Sequence, residues 1–311
     1  MSTRQELNWI NVAFFTFSPL VACLGVGLYL TYQGLHWADV GSFGVMLCLT
    51  GLAINAGYHQ YYSHRSYECH PLVQLFHLLF GAAAFQNSAL IWAANHRSHH
   101  RFVDQERDPY NIKNGFFWAH MGWTLFKHPM ELKERLANAP DLVADRLVMW
   151  QHRYYLPLTL GVGFLFPLLL GLTYERPWGG LLWGGLLRMV VFHHITFSVN
   201  SFGHSFGSQS YSEQNSSRDN WWLAFLMFGG GYHNFHHTFP GDYRGGNAWY
   251  HWDPVKWWIY SLSRVGLTWH LHRTPKAVLL KARLNTKRAR SRSSKDKNKK
   301  EETPYASTAS V

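Results

Sequence analysis

Long apolar runs punctuate an otherwise polar chain. Between Glu6 and Asp39 no residue is charged. Within that stretch Val12 to Tyr32 supplies the ~20 apolar residues that a helix needs to cross a bilayer core. Residues 40–58 form a second such run, and the connection from Gln33 to Asp39 carries no Lys or Arg. A helical hairpin is predicted. Residues 154–172 and 180–197 repeat the pattern around a short turn at Glu175, Arg176 and Pro177. Residues 71–93 are apolar but broken by Gln74, His77, Gln86 and Asn87. They predict a segment that lies in or dips into the interface without crossing. Trp221 to Phe228 is too short to span. The prediction is an all-α integral membrane chain with four transmembrane helices in two hairpins, and no internal repeat.

Charge orients this arrangement. The loops between the hairpins hold ten Lys/Arg, from Arg65 to Arg153, whereas the opposite side has only Arg176. The positive-inside rule puts both termini and the middle segment in the cytoplasm. Arg188 falls inside the fourth run; it either faces the bundle or serves the substrate channel. Aromatics make up 17% of the chain and charged residues 15%, against the roughly 25% charge of soluble domains. That bias suits contact with lipid. Residues 276–311 hold eleven Lys/Arg and three acids, so they carry +8 of the net +11. The remainder calls for no nucleic-acid partner. Residues 1–275 therefore read as one membrane domain and 276–311 as a basic disordered tail drawn to anionic lipid. Cys23, Cys48 and Cys69 lack CxxC spacing and read as small buried hydrophobes. No cleavable signal peptide is expected.

Three histidine clusters carry the candidate chemistry: His59-Gln-Tyr-Tyr-Ser-His64, His96-Arg-Ser-His99-His100 and His233-Asn-Phe-His236-His237. In HxxHH, positions i, i+3 and i+4 share a helical face, so imidazoles converge on one centre. A lone histidine is usually a satisfied structural residue; two HxxHH sets and an HxxxxH predict metal ligands. All three fall on one side of the membrane only if residues 71–93 do not cross. Asn200 and His204 are four apart at the end of the last run, and His193 sits two turns before Asn200. His193 reads as a core histidine or as lining the substrate channel.

HQYYSH, HRSHH, NSFGH and GYHNFHHTFP, in this order around two hydrophobic hairpins, resemble the membrane acyl-CoA desaturases of the stearoyl-CoA type. GFFWAHMGW and the DPYN at Asp108 match too, and the closing WYHWDPVKWWIY resembles the bacterial branch. The resemblance implies a cytosolic helical cap over the four spans that holds a His-rich di-iron site. It implies two irons held by His59, His64, His96, His99, His100, His204, His233, His236 and His237, with Asn200 acting through water. Asn87, Trp92, Asn95, His193 and Arg188 are candidates for contact with substrate or for supporting the ligands. Three positions depart from the family pattern: Gln60 where Arg is common, Asn95 where Asp precedes HRxHH, and Gly230 where Glu is usual.

The activity implied is O2-dependent desaturation of a fatty-acyl chain at Δ9, giving a cis double bond and water, without bound haem or flavin. An acyl-CoA is the expected substrate, acyl-carrier protein or intact lipid being the other carriers. The chain has no HPGG haem signature and no ferredoxin-like cysteine set, so a separate ferredoxin or cytochrome b5 is expected as electron donor. A bacterial inner membrane is expected over the endoplasmic reticulum. The rival readings are a di-iron alkyl or lipid hydroxylase and a non-catalytic metal-binding membrane protein. A catalytic zinc site would need only three protein ligands.

Overall fold

The computed structural model describes residues 6–301. Helix α1 (Trp9–Gln33) is capped by Asn8, whose side chain accepts from the Asn11 N–H, and carries Pro19 inside it. Helix α2 (Trp37–Ser63) follows after a three-residue turn; it is α-helical to Leu52 and a π-helix from Ala53 to Ser63. The chain then pairs a short strand β1 (Glu68–Cys69) with β2 (Thr268–Trp269) far along the sequence. Helix α3 (Pro71–Ala82) has only 12 residues, about 18 Å at 1.5 Å per residue, too short to cross. It stops at a bend where Phe85 and Asn87 both adopt positive φ. Helix α4 (Ala89–Phe102), capped by Ser88, turns back with the second histidine cluster. Residues 71–93 are thus a short helix, a bend and the start of a second helix.

Helices α5 (Phe116–His120) and α6 (Arg146–Arg153) lead to the second hairpin, α7 (Tyr155–Leu172) and α8 (Pro177–His204). Among the described residues, α1, α2, α7 and α8 are the helices long and apolar enough to cross a membrane. Helices α9 (Trp221–Leu226), α10 (His233–Thr238), α11 (Pro254–Arg264) and α12 (Lys276–Glu301) complete the cap. The observed spans overrun the predicted ones because α2 and α8 continue past the apolar runs and carry histidines out of the hydrocarbon zone.

Polar contacts fix which ends lie together. At the turns far from the histidines, buried Asp39 accepts from Tyr29 Oη at 3.0 Å and from Arg176 Nε at 3.2 Å. Arg176 also donates to the carbonyls of Gln33 and Gly34, so one guanidinium ties both hairpin turns. At the other end Asn8 N–H donates to the Leu125 carbonyl at 2.8 Å, and Lys127 N–H to that of Glu6 at 2.8 Å. The first described residues therefore lie on the histidine side.

Two expectations need correction. The segment read as disordered is helical from Lys276 to Glu301; residues 302–311 lie outside the described part. Its first turns are held because Leu279 packs with Tyr211 and Phe235, and because Arg283 hydrogen-bonds Tyr211 and Arg290 bonds Glu213. Of the three cysteines only Cys69 is buried; Cys23 and Cys48 are exposed on the outer faces of α1 and α2, where small apolar side chains suit lipid as well as a core.

Candidate metal centre

The π-helical end of α2 decides the first cluster. His59 and His64 are five apart, a spacing that an ordinary α-helix would rotate well off one face. In the π-helix the turn closes i to i+5, and His64 N–H donates to the His59 carbonyl at 3.2 Å. The rings consequently lie side by side, with centroids 4.9 Å apart. Gly57 makes room for this turn, since a Cβ there would sit 2.5 Å from His77 Cβ. Arg97, inside the second cluster, donates to the carbonyls of Tyr62 at 2.7 Å and Ser63 at 3.1 Å. Those acceptors would otherwise be left open at a helix end. Asp141 in turn clamps Arg97, with oxygens at 2.7 and 2.8 Å, and also pairs with Arg65.

The nine histidines meet in two groups. His59, His64, His96, His100 and His236 form one, and His99, His204, His233 and His237 the other; within each group one ring nitrogen from every histidine lies within 4.8 Å of the rest, close enough to hold a metal ion. Neighbouring groups touch where His100 stacks on His237 at 4.2 Å between centroids. His236 Nε2 lies 2.9 Å from His59 Nε2 and 2.9 Å from His100 Nε2. A neutral imidazole nitrogen either donates once or accepts once, so these nitrogens do not satisfy one another. A cation taking all the lone pairs does. An all-imidazole donor set suits iron, and five rings exceed the four ligands of tetrahedral zinc.

Outer contacts choose which nitrogen faces inward. Asp108, buried, accepts from His99 Nδ1 at 2.8 Å. His204 Nδ1 lies 2.7 Å from Ser216 Oγ, which donates to Asp104 Oδ1 at 2.5 Å. One loop after α4 thus supplies both carboxylates, leaving Nε2 of each ring free to take a metal. Burial, then the charges of neighbouring rings, pulls His96, His100, His233, His236 and His237 well below the ordinary imidazole value. His64 shifts the same way, by burial and then by His59 and Arg97. These rings are neutral at neutral pH, with lone pairs free for a metal.

The signature of the fatty acid desaturase family matches residues 35–273. The chain belongs to the fatty acid desaturase family. It is 40% identical over 273 residues to acyl-CoA desaturase 1 of Saccharomyces cerevisiae, covering 86% of this chain and 52% of that protein. It is 38% identical over 274 residues to a probable acyl-CoA desaturase of Schizosaccharomyces pombe, covering 87% of this chain and 56% of that one. The human stearoyl-CoA desaturase is 33% identical over 287 residues, 90% of this chain and 78% of its own length. The chain thus spans about half the length of the two yeast relatives.

In this desaturase-family chain a cavity of about 910 Å³ runs beneath both histidine groups, within the ~300–1,000 Å³ of ligand sites. Phe14, Phe15, Phe85, Ile91 and Phe197 give it apolar walls, and Arg107, Lys127, His128 and Arg135 are among its polar lining. Asn87, Trp92, Asn95, His193 and Asn200 all line it. Trp92 stacks on His96 and donates to Gln86 Oε1 at 3.3 Å; Gln86 donates to Thr196 Oγ1 at 3.0 Å. Asn95 accepts from Arg135 Nη2 at 3.0 Å. His193 sits between the carbonyls of Met189 and Phe85. Arg188 is not among the lining residues. Fully buried, it donates to the carbonyls of Gly184, Ala83 and Gly163, so it holds the bend after α3 from behind.

Sequence reading missed Arg97, Asp104, Ser216 and Asn55. Asn55 is four residues before His59, as Asn200 is before His204, and that repeated spacing was the available signal. Asn55 lines the same cavity, and its Oδ1 would lie 3.4 Å from a Cβ at Gly230.

Proposed function

We propose that this chain introduces a cis double bond into a fatty-acyl chain using dioxygen. The carrying observation is two groups of converging imidazole nitrogens over a cavity of about 910 Å³ with apolar walls, in a member of this family. Acid or base side chains do not remove hydrogen from an unactivated methylene. A pair of irons, when bound, supplies the oxidant that such C–H bonds require. The nine histidines are the proposed ligands, and Asn200 holds a tenth position through water.

The chain's own residues do the rest. The apolar walls bind the acyl chain and exclude water. Trp92, Gln86 and Thr196 form a hydrogen-bonded shelf beside His96 that would set which carbons lie beside the histidine groups. Asp108 and the Asp104–Ser216 pair keep His99 and His204 in one tautomer. Arg107, Lys127 and Arg135 suit a phosphate-bearing carrier, which supports acyl-CoA as substrate, in line with the names of the relatives. Position Δ9 follows the family resemblance.

Both chain ends belong on the histidine side, facing the cytoplasm; the Glu6–Lys127 pairing and the docking of α12 support this. The closing run Trp249–Tyr260 supports a bacterial inner membrane. Residues 1–275 are the catalytic membrane unit, and the electron donor is a separate ferredoxin or cytochrome b5.

The test is expression in a host without its own desaturase, with fatty-acid profiling and iron quantification. About two irons per chain and a new cis-unsaturated acid are expected. A hydroxylated product instead would make it a hydroxylase; metal without product would make it a binding protein.

A further inference from the structure

Desaturation with dioxygen leaves an electron deficit. The reaction R–CH2–CH2–R′ + O2 + 2 H+ + 2 e− → R–CH=CH–R′ + 2 H2O takes two electrons from the acyl chain and two from outside. We propose that the outward face of α12 is the docking surface for an acidic one-electron carrier protein that delivers them. The proposal rests on the desaturase reading above.

The layering around the metal groups points to this helix. Helices α2 and α8 bring His59 and His204 from the membrane side. Helix α10 presents His233, His236 and His237 to the same groups. Phe235, between those ligands in sequence, packs instead with Tyr211, Phe239 and Leu279 of α12. The Tyr211 and Phe235 rings are 5.3 Å apart. Leu279 of α12 thus packs on the side of α10 that carries Phe235, away from the face that presents His233, His236 and His237 to the metal groups. That position favours a soluble protein over a lipid surface.

The docked face of α12 is fixed, so its free face is defined. Leu279, Ala282 and buried Thr286 turn inward. Arg283 bonds Tyr211, and Arg290 reaches Glu213 and the Gln209 carbonyl. At ~100° per residue the opposite face carries Lys281, Leu284 and Arg288, flanked on one side by Leu280 and Lys287, all exposed. Leu280 and Leu284 are 58% and 43% exposed. An apolar centre with a charged rim is the anatomy of a protein interface. A basic rim selects an acidic partner and speeds encounter in a salt-dependent way.

The test uses the full, iron-loaded chain in nanodiscs of neutral lipid, with a purified [2Fe–2S] ferredoxin and a soluble cytochrome b5 haem domain as probes. Binding is read directly by surface plasmon resonance, and turnover by product. In the triple variant Lys281→Glu, Lys287→Glu, Arg288→Glu, carrier binding and carrier KM should worsen about tenfold or more. The Gln triple should show a smaller loss. KM for the acyl substrate, iron content and turnover with dithionite should not move. Wild-type carrier binding should weaken as salt rises. Unchanged binding of both carriers by the triple Glu variant overturns the proposal. A defect present only with anionic lipid overturns it in favour of a membrane surface. Absence of product from the wild type with dithionite is a failure of the desaturase reading; carrier binding still scores the docking face.

Discussion

At Asp108 one carboxylate determines which nitrogen of His99 faces the other histidines of its group. Asp108→Asn keeps the shape but loses the charge, and an amide can present an N–H where an acceptor is needed. Metal affinity is expected to fall about 10–100-fold, measured by competition with a chelator; unchanged affinity would remove Asp108 from the site. Gly230 is the informative departure from the family pattern. A Cβ there would meet Met227 Cγ at 3.0 Å and the Met227 carbonyl at 3.1 Å, with Asn55 Oδ1 at 3.4 Å. Gly230→Glu alone should therefore lower product yield, and pairing it with Met227→Ala, which removes the Cγ at 3.0 Å, should recover part of it. If the single substitution is harmless, Met227 gives way without loss.

Among the elements, the end of α2 holds the lesson about legibility. The two HxxHH clusters could be read as ligand faces because α-helical periodicity puts their histidines together. HxxxxH could be read as a metal candidate from its histidines but not as a shared face, because that face exists in a π-helix and apolar pattern does not distinguish that from an α-helix. The spans were legible from apolar length, but their overrun was not, since the extra turns are polar and stabilised by tertiary contacts. Helix α12 was illegible for a related reason: its composition is that of a disordered segment, and a few anchors to Tyr211, Phe235 and Glu213 order its start. Arg97 was hidden inside a histidine motif, yet it satisfies the carbonyls that end α2. Arg97→Gln should cost about 1–3 kcal/mol of stability through the acceptors left open at the end of α2, Asp141 keeping Arg65 as its partner. Thermal unfolding in detergent checks this; a Tm equal to wild type would show that water replaces the guanidinium without loss.

For the whole molecule, the depressed histidines predict how the metal-free chain responds to acid. Once unfolded, each imidazole protonates near pH 6.5; in the folded chain six of them resist. The unfolded state then binds more protons, so stability is flat above that pH and falls below it, by up to ~1.4 kcal/mol per pH unit for each ring. Asp219 and Asp253 act oppositely: burial pushes both up to about 6, so each adds stability as pH drops from there toward the ordinary carboxyl range. Six against two leaves a net loss. Tm of the metal-free chain should hold from pH 8 to 7 and then decline, and a Tm that climbs in acid would contradict the burial of the rings. The makeup of the two groups also constrains biosynthesis. One draws on residues from 59 to 236 and the other on residues from 99 to 237. Neither can close until α10 has left the ribosome, so any metal held by a complete group must enter late in synthesis or after it, and a chain stalled after its second hairpin would carry a half-built set of imidazoles able to capture whichever ion arrives first.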